Sequence, residues 1–294
     1  MKRISSSIFI FIYLIIISFT ANAKKEEMKL ILFKGESYTY LISQENSIEG
    51  TQETAPMHQM VSLRIRHTVI GRLPSGNYEM EAVYLGFSTK FKNQGRKFSY
   101  NTDTVDVRNK LYKVLNFLNG VTLSYEVSPE GEVSNIRGFE VVQNRTDSDP
   151  FLKGMLWSFG NTQFLSEFFN YVPHKSVGIG SKWTNSSEMV ELKNYKYDIQ
   201  YTYLSKTEKE IKLDRETSFN YATEIAVNDS TVNHITQAIT QEGNICISPK
   251  NMMPISSDMV QKIQLTAYHE RPSGSRKIDP ILLTTKTKMI RVKN

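Results

Sequence analysis

The clearest pattern in the chain is a strict alternation at residues 61–69. Val61, Leu63, Ile65, His67 and Val69 fall on one face of a strand, and Ser62, Arg64, Arg66 and Thr68 on the other. One face is therefore buried. Leu73-Pro74-Ser75-Gly76 fits a turn with Pro second and Gly fourth. Tyr78, Met80, Ala82 and Tyr84 return as the partner strand, with Glu79 and Glu81 expected to face Arg64 and Arg66 across the pair. The same reading predicts a second hairpin, 121–127 with 132–142, around Ser128-Pro129-Glu130-Gly131. Further strands are expected at 29–33, 37–42, 183–184, 197–203, 211–225, 231–240, 244–248, 259–268 and 281–292, with a third turn at Arg271-Pro272-Ser273-Gly274. Polar residues 43–59 read as a loop or a ragged edge strand.

Two stretches switch to helical period. Val107, Leu111, Val114 and Leu118 share one face of a helix predicted over 103–118, capped by Asp103 and ended by Asn119-Gly120. The densest aromatic and aliphatic run outside the N-terminus is 150–183, and the chain is organised around it. Phe151, Leu152, Met155, Leu156 and Phe159 form a first helical stripe behind Asp149 and Pro150. Gly160 and Asn161 break it, and Thr162 caps a second helix carrying Phe164, Leu165, Phe168 and Phe169 until Pro173 stops it.

The expected fold is mainly β with inserted helices (α+β), built as one or more curved antiparallel sheets, either a half-barrel or two related β modules. The organisation that follows is a leader at 1–23, an N-terminal β-rich module at 24–149, a helical aromatic connector at 150–182 and a C-terminal β-rich module at 183–294. A weak internal echo reads first as chance or shared hairpin chemistry, with a duplicated β module as the alternative. Gly35-Glu36-Ser37-Tyr38-Thr39 matches Gly180-Ser181-Lys182-Trp183-Thr184, and Glu130-Gly131-Glu132-Val133 matches Glu242-Gly243-Asn244-Ile245, at unequal spacing.

Lys2 and Arg3, the apolar segment 8–19 and Ala21-Asn22-Ala23 form a secretory leader, so the protein is expected to be exported to the periplasm or beyond the cell. The apolar segment is shorter than the roughly 20 residues that span a bilayer, and no later stretch reads as a transmembrane anchor. The net charge is +6, two units of it in the leader, and the remaining cations are scattered, which argues against nucleic acid as a partner. The single cysteine excludes an intrachain disulfide, so stability must come from burial.

Candidate chemistry is sparse. His58, His67, His174, His234 and His269 include no pair at metal-binding helical spacing, so no metal or cofactor is expected. His67 reads as a satisfied core histidine and Cys246, between Ile245 and Ile247, as a structural thiol. A hydrolase would need Cys246 or a serine within reach of His234, His67 or His269. Gly178-Ile179-Gly180 precedes a strand, which removes the phosphate-binding context. Asn144-Arg145-Thr146, Asn185-Ser186-Ser187 and Asn228-Asp229-Ser230 match the glycosylation pattern.

Leu32-Phe33-Lys34-Gly35-Glu36-Ser37-Tyr38-Thr39-Tyr40, the Pro-x-Gly hairpins, Tyr171-Val172-Pro173 with Val177-Gly178-Ile179-Gly180-Ser181-Lys182-Trp183, and Gln241-Glu242-Gly243-Asn244-Ile245 span most of the mature chain. In this order they resemble a family of exported bacterial proteins known only as a domain of unknown function. That resemblance implies no activity and no site residues. At the level of fold the pattern is also similar to periplasmic lipoprotein-carrier half-barrels, a likeness that does not establish function. The leading expectation is an exported, non-catalytic envelope protein whose aromatic run is a helical cover packed on the sheet; the sharper reading makes that run the mouth or lid of a cavity that binds a lipid or other apolar ligand through Trp157, Phe159, Phe164, Phe168 and Phe169. A scaffold or protein-interaction module with a filled core is the alternative, and a hydrolase the third reading.

Overall fold

The computed structural model describes residues 25–50, 56–93, 96–104, 115–147, 162–189, 195–228, 231–270, 276–277 and 280–293. The strands are β1 (Ser37–Ile48), β2 (Met57–Arg72), β3 (Tyr78–Asn93), β4 (Arg96–Asn101), β5 (Thr122–Val127), β6 (Val133–Arg137), β7 (Lys182–Met189), β8 (Tyr195–Lys206), β9 (Ile211–Asn228), β10 (Thr231–Ile247), β11 (Pro254–Glu270), β12 (Arg276–Lys277) and β13 (Ile281–Val292). Two α-helices are described, α1 (Glu140–Asp147) and α2 (Thr162–Phe169).

All 13 strands join one antiparallel sheet in the order β6-β5-β3-β2-β1-β13-β11-β10-β9-β8-β7, with β4 on β3 and β12 on β11. The last strand, β13, lies between β1 and β11 and links the N- and C-terminal strand sets into one continuous ladder. The sheet is curved and unclosed, and the chain at α2 reaches both of its ends. Phe169 O lies where a Cβ on Gly131, in the β5–β6 turn, would stand 2.5 Å away. On the far edge, Asn185 of β7 donates to Asn170 O and Val172 O.

Several sequence expectations need correction. Residues 43–59 are not an edge: β1 runs to Ile48, β2 starts at Met57, and β1 sits inside the sheet. Polar side chains are tolerated there because alternate residues face out and the inward Asn46 and Gln59 hydrogen-bond to each other. Residues 29–33 form no strand; they are an extended segment held by Leu30 N to Pro129 O at 2.8 Å and Ile31 N to Asn251 O at 3.3 Å. The predicted strand 132–142 ends at Arg137, and Glu140 begins α1. The strands predicted at 231–240 and 244–248 are one strand, β10. Glu79 and Glu81 do not face Arg64 and Arg66, because irregularities near Val69 and Arg64 set Glu81 opposite Thr68 and Gly86 opposite Arg64. Arg64 instead reaches over Gly86 to Asp103 at 3.2 Å.

The second helix of the aromatic run appears as predicted, and the 3-10 turn Asn116–Leu118 closes the stretch read as the first helix. The remainder of that helix, 105–114, and the first aromatic stripe, 151–160, lie outside the described residues. Gly35 and Gly180 both take positive φ just before β1 and β7, so the first internal echo marks one local device used twice. Gly131 is a turn glycine and Gly243 lies inside β10, so the second echo joins unlike positions.

At φ +86°, with Phe169 O and Val172 closing on its missing Cβ, Gly131 couples the β5–β6 turn to the end of α2. Gly131→Ala adds left-handed strain to a backbone clash and is expected to cost about 1–3 kcal/mol. Urea unfolding measures this; a loss within about 0.5 kcal/mol, typical of a surface change, would show that the contact does not constrain the helix.

Candidate functional site

One face of the sheet carries the core and α2. On it lie the even residues of β1 and the odd residues of β2, β13, β11, β10, β9, β8 and β7, as fixed by their registers. The helix docks because its apolar stripe meets this face. Phe168 stacks on His67 with centroids 4.5 Å apart and meets Tyr40 edge-on at 5.0 Å, while Phe169 packs against Phe168, His67 and Tyr125. Phe168 and Phe169 are buried, at 8% and 0% exposure, and Phe164 is partly buried against the same cluster. These three candidate contacts thus sit in or against a filled core. Trp157 and Phe159 lie outside the described residues.

His67 is a core histidine, as expected, but only half satisfied. Its Nδ1 is 2.8 Å from the Tyr125 hydroxyl, whereas Nε2 is buried without a partner. Burial pushes its pKa down to about 3 and keeps it neutral.

The polar edge of α2 is anchored by a buried ion pair that sequence reasoning missed. Arg215, 3% exposed, donates to Glu167 at 3.1 Å, and the same carboxylate accepts from Gln163 at 2.8 Å and from Tyr197. Burial alone would raise the Glu167 carboxyl, but Arg215, Tyr197 and Gln163 outweigh it and hold the group below its ordinary value. Gly243 lies opposite Arg215 in the ladder and Met259 opposite Gly243. With no side chain at Gly243, the guanidinium reaches across β10 to Met259 Sδ at 2.9 Å. The signal was present: Arg215 shares the parity of Ile211 and Leu213, which bury the same face.

Beyond the ion pair the long strands continue. Met57, Ile48, Leu283, Ile263, Ile239 and Phe219 stand in one register across β2, β1, β13, β11, β10 and β9, all on the face that carries α2. Five of the six are only partly buried, and Ile239 is buried. The next row repeats the character with Ile281, Leu265 and Tyr221, interrupted by Gln237. Six strands at about 4.8 Å spacing make such a row roughly 24 Å long. The opposite face is mixed, with Leu41, Met60 and Ile290 exposed among its charged side chains. A trough there of about 850 Å³ is lined by Met60 and Val260 as well as by Glu45, Lys90, Asp214, Asp258 and Lys288.

Catalytic pairs built on the cysteine are not assembled. Cys246 points to the opposite face, its thiol pushed up by burial and by Glu210, whereas His67 lies on the core face. His234 is on the same strand 12 positions away, about 40 Å, and His269 pairs with Asn233 beside it. Among the described residues no group of three or more His, Cys, Asp or Glu side chains forms a metal site, and no helix is long and apolar enough to cross a membrane. The glycosylation pattern at Asn185 falls on a buried side chain already spent on two carbonyls.

No curated protein matches the chain. Among solved structures, lipovitellin, in a study of its lipid–protein interactions, is similar at a TM-score of 0.51 and 11% identity over 90% of this chain. The chain covers only 26% of that one, so the likeness is one of fold across a part of a larger protein. Salmonella typhi OmpF in complex with daunomycin overlaps 90% of this chain and 100% of its own at 8% identity, but its TM-score of 0.26 establishes no shared fold. A family model described as a family of unknown function, DUF6263, matches residues 75–254, which run from the β2–β3 turn to the start of β11. The chain belongs to the DUF6263 family.

Proposed function

We propose that the protein is an exported, non-catalytic binder of a lipid or other apolar ligand, which lies on the core-bearing face of the sheet beyond α2. The observation that carries this reading is the row Met57–Ile48–Leu283–Ile263–Ile239–Phe219, an apolar strip on an unclosed sheet with most of its side chains still partly accessible. Large apolar strips left accessible mark binding surfaces. The aromatics of α2 act as packing that fixes the curvature of a half-barrel, and the ligand contacts come from the strands. The leader at 1–23 supports export, and the likeness of fold to lipovitellin, a protein studied for its lipid–protein interactions, supports a lipid as the kind of ligand.

The test is fluorescence titration with N-phenyl-1-naphthylamine, a neutral apolar probe. Ile263→Asp and Leu283→Asp place a charge in the strip and are expected to weaken binding by about tenfold or more, since one buried apolar side chain is worth roughly 1.5–3 kcal/mol. Val260→Asp, whose side chain lies on the opposite face of the sheet, leaves binding unchanged. Equal binding by all three variants would place the ligand elsewhere.

A further inference from the structure

Between the apolar strip and the ion pair lies a row of different chemistry. Gln59, Asn46, Thr285, Gln261, Gln241 and Thr217 stand in register across the same six strands, on the same face. All six are polar and none is ionisable. The strip beside them, two residues further along each strand, is entirely apolar.

The two ends of this row are satisfied within the protein. Thr285 Oγ1 donates to Asn46 Oδ1 at 2.9 Å, Asn46 Nδ2 donates to Gln59 Oε1 at 3.3 Å, and Thr217 Oγ1 donates to Asp198 O. The middle is not. Gln261 and Gln241, direct neighbours on β11 and β10, make no side-chain hydrogen bond among the described residues, and both are only partly buried. They present two carboxamides side by side, with donors and acceptors in both, on a surface where unpaired polar groups are costly to cover.

Among the described residues the nearest charge on this face is Arg215, one row nearer the core. It is neutralised by Glu167 and buried, so it offers no free cation to an anionic ligand. A carboxylate or phosphate set beside the strip would lose water without gaining a counter-charge. A hydroxyl or ester carbonyl would instead pair with the free amides.

We propose that Gln241 and Gln261 form the head-group subsite of this face, and that the ligand is a neutral amphiphile: an acyl chain lying along the apolar strip, with uncharged hydroxyl or ester groups hydrogen-bonded to the two amides. This rests on the apolar-ligand reading above and narrows it to one head-group class. It also assigns specificity to residues that make no contribution to the core.

The experiment compares 1-monooleoylglycerol with oleate, which share a chain and differ in head-group charge, by displacement of N-phenyl-1-naphthylamine from the full mature chain at pH 8. The wild type is expected to prefer the neutral ligand by about tenfold, the factor that two neutral hydrogen bonds supply. In the Gln241→Leu/Gln261→Leu variant, the affinity for the neutral ligand falls by a similar factor and that for oleate does not. Equal affinity of the wild type for both ligands overturns the subsite while leaving apolar binding intact, and that result needs no variant to fold. Displacement by neither ligand, with no binding of the probe itself, overturns the functional reading as well.

Discussion

Acid is expected to destabilise this protein through His67 by on the order of 4 kcal/mol between neutral pH and pH 3. The folded state holds the imidazole neutral inside the cluster of Tyr40, Tyr125, Phe168 and Phe169, with burial pushing its pKa down to about 3. The unfolded chain protonates the same group near its ordinary value of about 6.5. A depressed folded pKa means that the unfolded state binds more protons as pH falls. The penalty is absent above about pH 6.5, grows by roughly 1.36 kcal/mol per pH unit, and levels off near pH 3. Urea unfolding at pH 7, 5 and 4 measures the slope. His67→Leu, which cannot take up a proton, is expected to flatten it in this window, although the Tyr125 hydroxyl loses its partner and stability at pH 7 falls somewhat. The same slope in both proteins would mean that water reaches Nε2.

The second large effect belongs to the ion pair under α2. Arg215→Ala is expected to cost about 3–5 kcal/mol, because it strands a carboxylate whose charge Arg215 sustains. With the guanidinium gone, burial is opposed only by Tyr197 and Gln163, and the Glu167 pKa moves upward. The pair itself adds little net stability relative to apolar neighbours of the same shape. Arg215→Met combined with Glu167→Gln, which keeps an acceptor for Tyr197, should therefore recover most of the loss. A single-variant cost below about 1 kcal/mol, the level of an exposed pair, would show that solvent screens the site.

Local chemistry made parts of this architecture readable in the sequence. The β2–β3 hairpin follows from alternation and Pro74-Ser75-Gly76, and α2 follows from Thr162, its Phe and Leu stripe, and Pro173. What stayed hidden depends on pairing between distant residues. Leu41 lies opposite Ile290, and no local pattern ties residues so far apart. The second half of β1, 43–48, therefore read as a loop or ragged edge although it lies within the sheet.

The apolar strip was hidden for the same reason. Ile48, Leu283, Ile263 and Ile239 are ordinary strand residues one at a time, and only the combined register of six strands lines them up. The aromatic run, read as a helical cover on the sheet, does place Leu165, Phe168 and Phe169 in the core and Phe164 against it. Arg215 was overlooked because Asp214 and Glu216 on either side make the segment read as a solvated charge run.

The most direct test of a ligand on this face is native mass spectrometry of the mature protein purified from its natural host, with organic extraction of whatever travels with it. The expected result is a one-to-one adduct of lipid size that is extractable and uncharged in its head group, and that disappears in Ile263→Asp but survives in Val260→Asp. A bare mass for the wild type, or an adduct indifferent to Ile263, would contradict it.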